Sequence, residues 1–248
     1  MAPPVFSPSG NAQSAFERPI LCAVLDLPAI GDGQARFARD LFRAGVDWIQ
    51  VRDRAASAEA LLQTTRQLIA ARDEARRDFQ NADANTGGGR GRAGVHAPQP
   101  RVLLNKRVDV AIATSADGVH LGGDALSPVN AARILPETAL IGASFHAEDE
   151  VSEARQMGLT YAHLAPIWDP RSKPAERPAL GLIRLGAAAG LGLPLIAQGG
   201  IDADRAAQAI AAGAAGIAVT GLLTQAKDPI SAARALREAL DRSPVEEG

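Results

Sequence analysis

The chain carries one cysteine, Cys22, two tryptophans, one tyrosine and four histidines. A single cysteine cannot close an internal disulfide, and its place in an apolar run reads as a buried core position. Aromatic residues are only 4% of the 248, and the formal net charge is −2. A nucleic-acid binder needs a basic face and stacking platforms, so that class is excluded. No apolar run is long enough to span a membrane, and the first residues lack the charged-then-apolar order of a signal peptide. A soluble, cytoplasmic protein with no nucleic-acid or membrane partner is expected. No pair of histidines has metal-ligand spacing, and no Ser/His/Asp or Cys/His set stands out. His96 falls in a Gly- and Asn-rich segment, and His120 and His163 fall within strands, where a satisfied barrel position is expected. His146, at a strand end, is the one histidine placed for acid/base work.

What is present is a strong alternation of strand and helix. A 46% hydrophobic content and this length suit one large α/β domain, although length alone would allow two. Residues 1–18, rich in Pro, Ser, Ala and Asn, read as a loose leader. Strands are expected at Leu21–Leu27, Trp48–Arg52, Arg101–Asn105, Gly118–Leu121, Leu140–Ser144, Tyr161–Ala165, Leu193–Ala197 and Gly216–Val219. Each is followed by a helical pattern. Residues 77–100 break the rhythm with Asn-Ala-Asp-Ala-Asn-Thr and Gly-Gly-Gly-Arg-Gly-Arg, and read as a flexible surface insertion after the second helix. Eight parallel βα units over residues 19–242 close most naturally as a (β/α)8 TIM barrel. A doubly wound open sheet would want a Gly-rich turn after the first strand, and none is there.

In such a barrel chemistry sits on the loops after the strands. Gln50, Arg52 and Arg54 alternate at the end of the second strand and so share a face. Asn105 and Lys106 end the third, Asp124 follows the fourth, Ser144 and His146 end the fifth, and Ser172 and Lys173 follow the sixth. Gly199-Gly200 and Thr220-Gly221 each break an apolar strand at the start of a helix. Their backbone N–H groups suit a phosphate. The mouth is mostly basic, which points to phosphorylated small-molecule substrates carrying a diphosphate and a monophosphate.

At these residues the chain resembles the thiamine phosphate synthase and TenI family. The likeness is carried by Gln50-Val51-Arg52-Asp53-Arg54, Leu104-Asn105-Lys106, Asp117-Gly118-Val119-His120-Leu121-Gly122, Ile141-Gly142-Ala143-Ser144, Ala165-Pro166-Ile167-Trp168 with Ser172-Lys173-Pro174, and Ala197-Gln198-Gly199-Gly200-Ile201. It runs in order from about residue 20 to 240, with only the insertion foreign to it. The resemblance implies a (β/α)8 transferase that joins hydroxymethylpyrimidine diphosphate to thiazole phosphate in thiamine biosynthesis. It implies Gln50, Arg52, Arg54, Asn105 and Lys173 as diphosphate ligands, with Arg52 and Lys173 carrying catalysis. Ser144 would hold the pyrimidine, and Gly199, Gly200 and Thr220 the thiazole phosphate. It also implies Mg2+, but the family's two acidic ligands fall here on Lys106 and Ala125, which leaves Asp124 as the candidate ligand. Lys106 could instead place fixed positive charge beside a diphosphate. Two other readings stay open: a TenI-like thiazole tautomerase, whose strand-six histidine falls here on Pro166, and a non-catalytic thiazole phosphate binder. A homo-oligomer is also left open.

Overall fold

The computed structural model describes residues 16–85, 99–169 and 177–242. Its strands are β1 (Ile20–Asp26), β2 (Trp48–Arg52), β3 (Arg101–Asn105), β4 (Gly118–Leu121), β5 (Leu140–Phe145), β6 (Tyr161–Leu164), β7 (Leu195–Gln198) and β8 (Gly216–Val219). They close in sequence order into one barrel, β8 returning to β1, with every pairing parallel. The main helices after the strands are α1 (Gln34–Arg43), α2 (Ala58–Asn85), α3 (Val108–Thr114), α4 (Pro128–Ile134), α5 (Glu148–Ala154), α6 (Gly181–Ala189), α7 (Ala203–Ala211) and α8 (Pro229–Arg242). One-turn helices at Leu27–Ile30 and Gly221–Thr224 sit directly on the ends of β1 and β8. The open-sheet alternative is excluded by this closure.

Strand alternation divides the core in two. One set of side chains, including Leu21, Ala23, Leu25, Ile49, Val51, Val102 and Leu104, packs outward against the helices. The intervening set, including Cys22, Val24, Trp48, Leu103, Leu140, Tyr161 and Ile196, fills the barrel. Trp48 and Tyr161 meet edge-on with ring centroids 5.1 Å apart. Gly142 is what admits the tyrosine, because a Cβ there would lie 2.1 Å from its Cζ. Cys22 is fully buried, and burial pushes its thiol well above the usual range. It is a packing residue.

The floor is held by two carboxylates. Asp47, before β2, accepts the Leu21 N–H at 2.8 Å and Arg237 Nη1 of α8 at 3.0 Å, and pairs with Arg18. Asp117, before β4, accepts the Val102 N–H at 2.7 Å, Arg72 Nη1 at 2.5 Å and Arg76 Nη2 at 2.9 Å. Arg18 therefore belongs to the barrel, as does Phe16, whose ring meets Trp48 with centroids 5.4 Å apart. The leader expected over residues 1–18 is shortened by these contacts, and residues 1–15 lie outside the described residues.

The second correction concerns residues 77–85, which continue α2 where an insertion loop was expected. Polar ties do there what an apolar stripe does elsewhere. Arg43 of α1 holds Asp78 at 2.7 Å, Arg76 Nε reaches the Pro100 carbonyl at 2.9 Å, and half-buried Phe79 packs on the core. The remainder of the insertion, residues 86–98 with His96, lies outside the described residues.

Candidate active site

The carboxyl ends of the strands bring the expected polar residues to one mouth. Register sets their heights: Asp26 pairs with Arg52, Asn105 with His120, Ser144 with His163, and Gln198 with Ala218. Gln50 is buried, and its Nε2 donates to Asn105 Oδ1 at 3.1 Å. Its own Oε1 is buried without a partner. One inward position higher, Arg52 Nη1 lies 3.5 Å from Asp26 Oδ2, both half-exposed. Arg54 is exposed on the following loop, whose turn is formed by Asp53 accepting the N–H groups of Ala55 and Ala56, each at 2.9 Å.

Ser144 reaches the mouth from β5 and is exposed there. Its Oγ is 2.8 Å from His120 Nε2, and His120 Nδ1 is 3.2 Å from the Tyr161 hydroxyl. Burial, together with neighbouring His163, holds His120 well below the ordinary histidine range, so the ring is neutral. Burial likewise pushes Tyr161 well above its ordinary value. The protonated tyrosine has no other acceptor among the described residues, so it donates to Nδ1. The imidazole then carries its proton on Nε2 and donates to Ser144 Oγ. The serine hydrogen is thereby left free of His120.

His163 was expected to be a satisfied barrel residue, and it is only half so. It lies against His120 with ring centroids 4.2 Å apart and interacts with the Gln198 side chain, but its Nε2 is buried with no partner. Burial lowers its pKa to about 4. Buried polar atoms without partners are uncommon and costly, and the two beneath this mouth, Gln50 Oε1 and His163 Nε2, come from opposite sides of the barrel. Neither His163 nor Gln198 was given a site role from the sequence. The available signal was parity, since both occupy the inward positions that Ser144 and Asn105 share. His146, the histidine placed for acid/base work, has its Nδ1 engaged by the Ala165 carbonyl at 2.6 Å.

On the far rim, Gly199 and Gly200 both adopt positive φ, at 100° and 63°. A Cβ at Gly199 would lie 2.8 Å from Pro166 Cβ, and one at Gly200 would lie 2.5 Å from the Asp169 carbonyl oxygen. The loop after β6 docks on this turn through Ile167 N–H to Gln198 O at 2.8 Å and Trp168 N–H to Gly199 O at 3.2 Å. Arg205 closes the other side, donating to Gly200 O at 2.7 Å and lying 5.4 Å over the Trp168 ring. The carbonyls of Gln198, Gly199 and Gly200 are thus engaged, and pairing of β7 with β8 makes the Thr220-Gly221 turn the neighbour of this one. Among the described residues, no loop backbone bond is donated by Gly199, Gly200 or Gly221. Ser172 and Lys173, the last two expected site residues, lie outside the described residues.

Asp124, the candidate Mg2+ ligand, is paired with a lysine. Its Oδ1 is in direct contact with Lys106 Nζ, and that pairing holds its carboxyl below the usual range. A resident Mg2+ needs about six oxygen ligands in near-octahedral geometry, typically with one or two carboxylates. Here the one carboxylate between the β3 and β4 loops is occupied by an ammonium, and Ala125 follows it. Among the described residues no three His, Cys, Asp or Glu side chains converge on a common point. The residues present do not fit a resident Mg2+.

The fold and site together define a (β/α)8 barrel with basic side chains at its mouth and a positive-φ glycine turn after β7. The thiamine monophosphate synthase family model matches residues 90–223. The thiamine-phosphate synthase of Chlorobium luteolum is 33% identical over 231 residues, 93% of this chain and 97% of that protein. That of Mycobacterium tuberculosis is 38% identical over 209 residues, 83% of this chain and 87% of that protein. Among solved structures, the thiamine phosphate pyrophosphorylase of Pyrococcus furiosus superposes with a TM-score of 0.73 at 24% identity, covering 92% of this chain and 98% of that one. The chain belongs to the thiamine monophosphate synthase family.

Proposed function

We propose that the protein is a thiamine-phosphate synthase, joining a pyrimidine diphosphate to a thiazole phosphate. The observation that carries this reading is the two-sided mouth, with Arg52, Arg54 and Lys106 on one rim and the free N–H groups of Gly199, Gly200 and Gly221 on the other. One side meets the anion that leaves and the other the anion that stays.

The reaction needs little covalent help from the protein. The bond between the pyrimidine methylene carbon and the diphosphate oxygen breaks, and its electron pair leaves with the diphosphate. The lone pair of the thiazole ring nitrogen then forms the new carbon–nitrogen bond. No proton is transferred. Catalysis is the stabilisation of developing negative charge and the alignment of two rings. Arg52 and Arg54 would meet the departing oxygens, and the family resemblance assigns Lys173 to the same task. Arg52 exchanges its half-exposed Asp26 partner for a phosphate, a better match to its planar fork. Asn105 is oriented by Gln50, so Gln50 is a positioning residue. Ser144, with His120 donating to its oxygen, offers its hydrogen to the pyrimidine ring. The glycine turn and Thr220 hold the thiazole phosphate.

The tautomerase alternative is less well supported. Pro166 stands at the end of β6 beside Gly199, where a proton-transferring side chain would be needed, and His146 is engaged by a carbonyl. The test is to incubate the purified protein with both substrates and follow both products. Thiamine phosphate and pyrophosphate should appear in equal amounts. Conversion of a thiazole phosphate tautomer without either product would select the isomerase.

A further inference from the structure

We propose that the Lys106 ammonium, and not a divalent cation, supplies the positive charge that receives the substrate diphosphate between the β3 and β4 loops. This rests on the transferase reading above.

Three observations converge on it. First, the lysine is aimed. Lys106 adopts φ of 67°, a left-handed conformation uncommon for a long side chain. Its N–H is fixed to the His120 carbonyl at 2.9 Å, so β4 holds the strained turn in place. Backbone strain of this kind persists where the surroundings over-determine it, often at functional sites. Second, the path is cleared. A Cβ at Gly122 would lie 2.9 Å from Lys106 Cε and 3.6 Å from Nζ, so the lysine crosses β4 where glycine leaves room. Third, the charge is in surplus. Asp124 is the carboxylate that Lys106 meets, and Arg54 stands close enough to add its field. Around Asp124 itself two cations thus act on one carboxylate, while Arg107 on the same β3 loop is taken up by Asp109.

An ammonium has three donors and no acceptor. Asp124 Oδ1 takes one, which leaves two for phosphate oxygens. A metal ion entering here would have to displace the ammonium from Asp124 and then sit in contact with it, two like charges a few ångströms apart. The lysine remains an ammonium throughout, and no bond forms to it. It acts as a tethered cation, with Asp124 as the tether.

The experiment measures inorganic pyrophosphate binding by calorimetry and thiamine phosphate formation, each in excess chelator and in excess Mg2+. Binding and turnover should be the same in both. Lys106→Asn, chosen because asparagine tolerates positive φ, should weaken pyrophosphate binding by roughly 10- to 100-fold, the range of one charge-assisted hydrogen bond. Lys106→Arg should keep most of it. The double variant Lys106→Asp with Ala125→Asp should become Mg2+-dependent for pyrophosphate binding. Turnover that requires Mg2+ in the wild type overturns the inference and leaves the transferase reading intact. Chelator-insensitive pyrophosphate binding, lost in Lys106→Asn, in a protein that makes no thiamine phosphate supports the inference and overturns the transferase reading. Pyrophosphate binding unchanged in a folded Lys106→Asn overturns the inference whatever the metal does.

Discussion

The two ends of this barrel use the same residue types in opposite ways. At the floor, Asp47 and Asp117 each collect a backbone N–H and two arginines, Asp47 fully buried and Asp117 largely so. At the mouth, Asp26 holds Arg52 at 3.5 Å and Asp124 holds Lys106 on an exposed loop. The buried polar atoms below them, Gln50 Oε1 and His163 Nε2, have no partner. A buried charge that loses its partner is strongly destabilising, whereas an exposed pair contributes little. The floor is therefore where charge holds the fold, and the charges at the mouth are the ones the fold can spare.

The largest effect should come from breaking the floor. Asp47→Ala takes from buried Arg237 its one buried carboxylate, leaving it the half-exposed Asp241 at 2.7 Å and the Pro19 carbonyl at 2.9 Å, and removes the acceptor of the Leu21 N–H and the partner of Arg18, so unfolding free energy should fall by about 3 kcal/mol. Urea denaturation would show it as a lower midpoint with little change in slope. A loss under about 1 kcal/mol would mean that water reaches this end and the contrast is false.

Next is the pH response of the layer between the two ends. His163 is neutral in the fold with a pKa of about 4, against 6.5 for the unfolded chain. Below pH 6.5 the unfolded state takes up a proton that the folded state refuses. Stability is therefore lost as pH falls from 6.5 to 4, by about 3 kcal/mol in total. His120 adds to the loss in the same direction. His163→Asn should lose correspondingly less between pH 7 and pH 4. Identical losses in variant and wild type would assign the acid sensitivity to the carboxylates alone.

Much of this architecture was legible in the sequence because each strand is a short apolar run bounded by glycine or polar residues. The bounds of β2, β3, β4 and β8 are those the alternation predicts. Ser127 directly before Pro128 is a helix-start pattern, and Ser127 does cap α4, accepting the Asn130 N–H. The end of α2 was not legible, because its last turns are held by Arg43 and Arg76 bridging distant elements, and no periodicity records that. The strand-end positions of Arg52, Asn105 and Ser144 followed from local pattern. Their partners Asp26, Gln50 and His120 are set by which strands become neighbours on closure. The Lys106–Asp124 contact is of the same kind. Eighteen positions separate the two residues, and only the turn at Lys106 and the gap at Gly122 bring them together.

A smaller stability effect with a large functional one should follow from Gly200→Ala. Positive φ and the approach to the Asp169 carbonyl predict a loss of about 1–3 kcal/mol. Binding of thiazole phosphate should fall below detection by calorimetry while the variant stays folded at 25 °C. Unchanged affinity would show that the anion cradle is misplaced.

The smallest stability change should be at the mouth itself, and there the claim is tested most directly. Arg52→Gln removes only a half-exposed pair, expected to contribute about 0–1 kcal/mol. The measurement is the rate of thiamine phosphate formation by this variant, taken beside its melting temperature. The account predicts kcat/KM down by roughly 100-fold or more, with the melting temperature within about 3 °C of wild type. A variant that melts as the wild type does and turns over at the wild-type rate would contradict the assignment of this mouth as the active site.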